Sequence, residues 1–161
     1  MSKIYKLIEY LSNVLRLGGA LCLAGMSLLT CADVVGRFFE CPIFGSVEIV
    51  GFMGVLAAAM ALPFTHETRG HIGVELFVRR MPEKRRILID ACTGMISFAL
   101  FIVVAWRMTL YGISMKQSGE VSMNLELPEY LVIFAVAGCF LVLSAVIAKG
   151  VVDGLGRLRS K

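Results

Sequence analysis

The sequence predicts an all-α integral membrane protein with four transmembrane helices and a short amphipathic helix on the cytoplasmic surface. The chain has 161 residues, of which 58% are hydrophobic and 17% are charged. Soluble domains are nearer to half apolar and a quarter charged. The apolar residues gather in four runs, each near the roughly 20 residues that a helix needs to cross about 30 Å of hydrocarbon. We therefore expect a single membrane domain over residues 1–161.

The four runs are expected to be helical because backbone groups in lipid must be satisfied within their own segment. The predicted spans cover residues 17–35, 47–64, 87–111 and 130–147. The first run is longer than the apolar core of a secretory signal and lacks a small-x-small cleavage site, so we expect it to be retained.

Lysine and arginine residues set the expected orientation. Thirteen of the sixteen lie in the N-terminal arm, the connection between spans two and three, and the C-terminal tail. The other two connections hold only Arg37 and Lys116. Because basic residues collect on the cytoplasmic side, we expect a multi-pass protein of the bacterial inner membrane with both termini inside. Basic residues at helix ends face lipid headgroups, which argues against nucleic-acid binding.

The connection between spans two and three carries a helical pattern of its own. Val74, Phe77, Val78 and Met81 recur at i, i+3, i+4 and i+7, which places them on one face of a helix. We interpret residues 72–81 as an amphipathic helix that lies on the cytoplasmic membrane surface. An ordinary basic loop is the alternative.

Charged side chains in or beside a span are costly in lipid, so each needs an explanation. Asp33 and Arg37 are spaced i,i+4 near the outer end of span one, and Glu48 opens span two after a short turn. We expect Arg37 and Glu48 to meet there, with Arg107 joining from the outer end of span three. This group is interpreted as a structural ion cluster. A coupling-ion or proton site and a contact with a partner or lipid headgroups are the alternatives.

The sequence contains no pattern typical of catalysis. His66 and His71 are five residues apart, unlike the paired histidines of helical zinc sites, and only Glu67 and Glu75 stand near them. The five cysteines form no CxxC pair, and no phosphate-binding glycine loop is present. We expect no catalytic, cofactor-binding or metal-binding residue. A small four-helix membrane enzyme that uses the histidines or cysteines, and a self-associating structural membrane protein, remain as alternatives.

Small residues recur at i,i+4 spacing in spans one and two, which lets helices approach closely. The pairs are Ala20 with Ala24, Gly54 with Ala58, and Ala57 with Ala61. They would serve packing within the chain or against a larger membrane partner. The middle of each span is expected to be apolar, which argues against a channel or transporter formed by this chain alone.

Three local stretches, in order and at the ends of the spans, resemble those of a known family. Gly36–Phe39 followed by Pro42–Glu48 is similar to that family's arginine, turn and Ser-x-Glu before helix two. Leu125–Pro128 is similar to its apolar-x-apolar-Pro segment before helix four.

The remaining stretch lies in the basic connection. Thr68–Glu75, followed by Met81-Pro82 and Arg86, is similar to the family's Arg-x-His-Ile-x-Val-acidic segment, with Glu75 where the family often has Asp. Together the three stretches resemble the small permease subunit, DctQ-like, of tripartite ATP-independent periplasmic (TRAP) transporters. The resemblance covers nearly the whole chain.

The resemblance implies two partners. A large multi-spanning membrane subunit would carry substrate and sodium, and a periplasmic substrate-binding protein would deliver an organic acid. The small subunit would brace the large one and help to dock the binding protein. Arg37 and Glu48 would order the periplasmic end near the partner interface, and Arg69, His71 and Glu75 would anchor the surface helix. The identity of the substrate would be set by the other two chains.

Overall fold

The part of the chain that the structure describes forms four long α-helices and contains no strand. The structure is a computed structural model that describes residues 2–68 and 83–159, with side chains described over 5–68 and 89–153. The helices are α1 (Ser2–Phe38), α2 (Ser46–Glu67), α3 (Glu83–Ser118) and α4 (Glu129–Arg159). All four are long and apolar enough to cross a membrane, which confirms the predicted all-α membrane fold with four transmembrane helices. The predicted surface helix over residues 72–81 lies outside the described residues.

The helices extend beyond the predicted spans. α1 begins at Ser2, fifteen residues before its apolar run, and α3 continues to Ser118 rather than Tyr111. Hydropathy marks the length that suits lipid, whereas the helical hydrogen bonds continue into the polar turns at either end. α3 ends where Gly119 adopts the left-handed conformation, with φ of 70°, a common way for a helix to stop.

The four helices do not surround one central core equally. α4 packs extensively on α3 and also on α2, whereas α1 packs mainly on α2 and α3 packs mainly on α4. In the most apolar window of each helix, 39% of the α4 residues are buried, against 6% in α1 and 11% in α3. α1 and α3 are therefore the flanking helices, and each has a long face that the described residues leave uncovered.

The core lies where α2 and α4 cross the middle of the molecule. Its centre is formed by buried Ala59, Val136 and Cys139. Partly buried side chains from all four helices surround this centre: Leu15, Leu56, Met60, Met108, Val132 and Phe140. Small residues at the centre allow the helix backbones to come close, as is common for helices that pack in lipid.

Glycine residues of α1, rather than the alanine pair expected there, bring α1 onto α2. A Cβ atom at Gly19 would lie 3.3 Å from the Cβ of Met60 and 3.4 Å from the carbonyl oxygen of Ala57. Ala57 is buried at this contact, in agreement with its predicted packing role. Ala20 and Ala24 are exposed instead, because they lie on the opposite face of α1.

Candidate functional site

Polar side chains collect in two layers, one at each end of the helices. Glu48 and Glu67 mark the two layers on α2, and Lys149 lies in the same layer as Glu67. Glu48 and Glu67 are nineteen positions apart, which corresponds to about 28 Å along a helix at 1.5 Å per residue. This height is close to the hydrocarbon thickness of about 30 Å. We call these the Glu48 layer and the Lys149 layer.

In the Glu48 layer, Asp33 ties the end of α1 to the connection that follows it. Its Oδ2 atom accepts a hydrogen bond of 2.8 Å from Nε of Arg37, one turn later. Its Oδ1 atom accepts a bond of 2.9 Å from the backbone N–H of Ile43. The Asp33 side chain is only 10% exposed, so the carboxylate fixes residues 39–45 from inside the turn. The i,i+4 pair expected between Asp33 and Arg37 is confirmed.

Glu48, in the first turn of α2, holds the connection between α3 and α4. Its Oε2 atom accepts hydrogen bonds from the Ser122 hydroxyl at 2.8 Å and the Leu125 N–H at 3.1 Å. Its Oε1 atom accepts bonds from the backbone N–H of Asn124 at 2.7 Å and from the Asn124 side-chain amide at 2.9 Å. Four donors thus converge on one carboxylate. The N-terminus of a helix also favours a negative charge at this position.

Ser122 makes two further hydrogen bonds within the same loop, both with Leu127. Its hydroxyl oxygen accepts a bond of 3.1 Å from the N–H of Leu127, and its own N–H donates to the Leu127 carbonyl at 3.0 Å. Leu125 packs against Gly45, whose φ of 74° suits glycine and where a Cβ atom would collide with the leucine side chain. We call Glu48 with Ser122, Asn124 and Leu125 the Glu48 clamp.

In the Lys149 layer, one ammonium group joins three helices. Nζ of Lys149 lies 2.9 Å from a carboxylate oxygen of Glu9 on α1 and 3.7 Å from one of Glu67 on α2. The buried Ser12 hydroxyl donates to the other oxygen of Glu67 at 3.1 Å. The Lys149 side chain is 17% exposed, whereas that of Glu9 is 54% exposed. The lysine therefore lies on the inner side of the cluster and the acids face outward.

Tyr5 extends this layer toward the end of α4. Its hydroxyl donates a hydrogen bond of 3.0 Å to Asp153, and the Lys149 ammonium lies 5.4 Å from the centre of its ring. Lys149 and Asp153 are spaced i,i+4 on α4, which would allow a local pair. In the structure, Lys149 pairs with Glu9 on α1 and with Glu67 on α2, and Asp153 accepts a hydrogen bond from Tyr5. This layer is therefore a contact between helices rather than a local pair on α4.

Neither layer has the composition of a metal site. Within residues 2–68 and 83–159, no three His, Cys, Asp or Glu side chains lie together in a way that could hold a metal ion. The groups present are hydrogen-bond donors directed at single carboxylates and one lysine shared by two acids. Such groups fix helices and loops relative to one another.

Comparison with known proteins gives the family. The model of the family described as tripartite ATP-independent periplasmic transporters, DctQ component, matches residues 26–156. The chain belongs to the DctQ family. This confirms the resemblance seen in the sequence and makes the chain a small membrane subunit of a TRAP transporter. No curated protein matches the chain.

The family match covers one polar layer completely and the other only in part. It includes the whole Glu48 layer and Lys149, but it begins at Met26, after Tyr5, Glu9 and Ser12. Proteins of the DctQ family work in general with a large TRAP membrane subunit and a substrate-binding protein. The two layers are therefore features of a subunit that functions in an assembly.

Arg37, Glu48 and Arg107, which were expected to form one cluster at the outer end of this DctQ chain, form no ion pairs with one another in the part of the chain that the structure describes. Arg37 pairs with Asp33, and Glu48 binds residues 122–125, so the expected contact between Arg37 and Glu48 is replaced by two separate contacts. Among the described residues, no ion pair joins Arg107 to either of them. The reason is that α3 packs mainly on α4 and not on α1.

Arg107 is also deeper than the sequence indicated. It was expected near the outer end of its span, yet the next residue, Met108, packs against the core centre. The predicted anchors of the surface helix, Arg69, His71 and Glu75, lie outside the described residues.

The sequence interpretation missed the partners that complete each layer. Ser122 and Asn124 were part of a polar connection without any evident motif, and Glu9 was not considered. One signal was available for Glu9 and Glu67, since both stand beside the same ends of their spans as Lys149. Residues at the same depth of neighbouring spans are candidates for pairing.

Proposed function

We propose that this chain braces the large transport subunit and helps a periplasmic substrate-binding protein to dock, in a sodium-coupled system that takes up organic acids. It acts as one membrane domain, residues 1–161, and has no catalytic activity of its own. It resides in the bacterial inner membrane with both termini cytoplasmic and the Glu48 layer on the periplasmic side, since the basic residues favour this orientation. The observation that carries the docking role is the Glu48 clamp.

The clamp supports docking because it holds an exposed apolar residue on a fixed backbone. Met123 lies between Ser122 and Asn124, both bound by Glu48, and its side chain is 97% exposed. Phe44 is 72% exposed and directly follows Ile43, whose N–H binds Asp33. A residue whose backbone is already ordered loses less entropy on binding, and methionine adapts well to the surface of a partner.

The flanking helices support the bracing role. Leu28 on α1 and Ile96 on α3 are each 72% exposed, in helices whose apolar windows are largely uncovered by the residues that the structure describes. Lipid can cover such faces, and so can the helices of a larger membrane subunit. Sodium coupling and organic-acid uptake come from the family resemblance, and transport assays test them directly.

Introducing a charge at Met123 is expected to weaken docking while leaving the membrane complex intact. Met123→Asp should raise the concentration of binding protein needed for half-maximal uptake by about tenfold, which is the effect of losing one energetically important contact at the centre of an interface. The measurement is uptake of a radiolabelled organic acid into proteoliposomes under a sodium gradient, over a range of binding-protein concentrations. Glu120→Gln, in the same loop and also exposed, is the matched control and should behave as the wild type.

Equal dependence on binding protein in Met123→Asp and wild-type complexes would contradict the docking role. Uptake that persists at the same rate without a sodium gradient would contradict sodium coupling and leave the docking role standing. The recovery of the large subunit with each variant is measured in parallel, so that a loss of assembly is distinguished from a loss of docking.

A further inference from the structure

Arg107 is a charged residue in the middle of an uncovered apolar face. It is exposed, and the residues above and below it on the same side of α3 are apolar and exposed as well. Their exposed fractions are 72% for Ile96, 57% for Leu100, 52% for Val103 and 53% for Tyr111. These positions differ from 107 by 11, 7, 4 and 4 residues, which places them on one helical face. We call this set, with Arg107, the α3 face.

The contacts between α3 and α4 fix the depth of Arg107. Phe101 stacks on Phe140, with ring centres 5.8 Å apart, and a Cβ at Gly112 would lie 3.0 Å from the Phe134 ring. Arg107 lies between these two contacts and therefore stands opposite residues 136–138 of α4. Those residues include Val136, which belongs to the core centre. Arg107 is thus at the height of the core, on the opposite side of α3.

The nearest polar layer is out of reach. Lys116 lies 5.8 Å from the Tyr130 ring at the start of α4, so it marks the Glu48 end of α3. The nine residues from Arg107 to Lys116 correspond to about 13 Å along the helix. A guanidinium group stays protonated in proteins, and charged groups within the apolar region almost always face a protein interior and pair with another group. Arg107 therefore needs a hydrogen-bond acceptor at its own depth, and a carboxylate is the strongest one available to a guanidinium.

This chain cannot supply that partner, either within one copy or from a second one. No Asp or Glu occurs between residues 10 and 32, 49 and 66, 91 and 119, or 130 and 152, so every acid of the spans stands near an end. In a symmetric dimer through the α3 face, Arg107 would meet the same arginine of the other copy and be repelled. Lys116 lies beside the start of α4, more than two helical turns from Arg107, and lipid headgroups border the hydrocarbon only at the ends of such spans.

We propose that the α3 face docks against a transmembrane helix of the large subunit that carries an aspartate or glutamate at this depth, and that Arg107 pairs with it. This inference rests on the proposed function, because it takes the large subunit as the partner. The apolar residues of the α3 face supply packing area, and the ion pair sets the register of the two helices. A planar guanidinium can bind a carboxylate through two parallel hydrogen bonds, which makes arginine suited to such a contact.

Replacing Arg107 tests the ion pair. Arg107→Leu favours insertion of α3 into lipid, so it removes the charge without a cost to the span itself. We expect it to lower the amount of large subunit that co-purifies in mild detergent by about tenfold or more, because the carboxylate is left buried and unpaired. Arg107→Lys keeps the charge and should recover a substantial part of the complex. Lys116→Leu is the matched control on the same helix and should give the wild-type yield.

Photo-crosslinking identifies what covers the face. A photoreactive amino acid at Val103, in the full chain and in native membranes, is expected to crosslink to the large subunit, and the crosslinked peptide should contain an acidic residue. Crosslinks only to lipid or to a second copy, or equal yields of large subunit with Arg107→Leu and wild type, would overturn the proposal. If the wild-type chain recovers no large subunit at all, the proposed function fails. If the wild-type chain recovers the large subunit and the Arg107→Leu variant recovers an equal amount, only this inference fails.

Discussion

Glu48→Gln is expected to release the connection between α3 and α4 while leaving the helices in place. The carboxylate accepts four hydrogen bonds from Ser122, Asn124 and Leu125. Glutamine has one carbonyl oxygen, and its NH₂ group would face the remaining donors. Glutamyl endopeptidase should then cleave after Glu126 about tenfold faster, because cleavage of a folded protein follows local opening of the chain. The cleavage rate is measured by mass spectrometry on the purified complex.

The corresponding substitution of the other carboxylate in this layer, Asp33→Asn, provides the control. Asp33→Asn weakens the hydrogen bond from the Ile43 N–H and the pair with Arg37, so it should raise cleavage after Glu40 in the other connection and leave Glu126 protected. Glu40 and Glu126 are both exposed, which makes the two sites comparable. A uniform rise at both sites in either variant would indicate global loosening and contradict separate roles for the two carboxylates.

Lys149→Met is expected to loosen the opposite end of the protein. It removes the ammonium group between Glu9 and Glu67 and leaves two acids near each other. Breaking a fully buried ion pair costs about 3–5 kcal/mol. Because the Glu9 side chain is 54% exposed, we expect a smaller loss of about 2 kcal/mol, which corresponds to a fall in Tm of roughly 4–8 °C for a chain of this size. The measurement is thermal unfolding in mild detergent.

A double-mutant cycle isolates the contribution of the pair. Glu9→Gln should reduce the effect of Lys149→Met, because the two substitutions remove the same interaction. Lys6→Ala removes an exposed lysine from the same end of α1 and serves as the control, with little change in Tm expected. If Lys149→Met and Lys6→Ala lowered Tm equally, the Lys149 layer would have no structural role.

The spans could be predicted from the sequence because lipid imposes a simple rule on them. A helix that crosses hydrocarbon needs an apolar run of a certain length, and all four runs met it. The helix ends were less predictable, since the residues from Ser2 to Arg16 are polar enough to leave the lipid and still continue α1. Hydropathy indicates where a helix leaves the lipid. The residue at which the helix ends depends on local features, such as the left-handed conformation of Gly119.

The site was predictable only where its contacts are local. Asp33 and Arg37 are one helical turn apart, so the spacing alone predicted their pair. The partners of Glu48 lie 74–77 residues away in sequence, and they depend on how α2 packs beside the loop that precedes α4. The depth of Arg107 depends in the same way on the register between α3 and α4, which hydropathy does not encode.

The central claim is that this DctQ-family chain works as the small subunit of a larger membrane complex. Affinity purification of the chain from native membranes in mild detergent, followed by native mass spectrometry, tests it most directly. The predicted result is a stoichiometric complex with a much larger multi-spanning membrane protein. Recovery of the chain alone, or only with further copies of itself, across several mild detergents would contradict the claim.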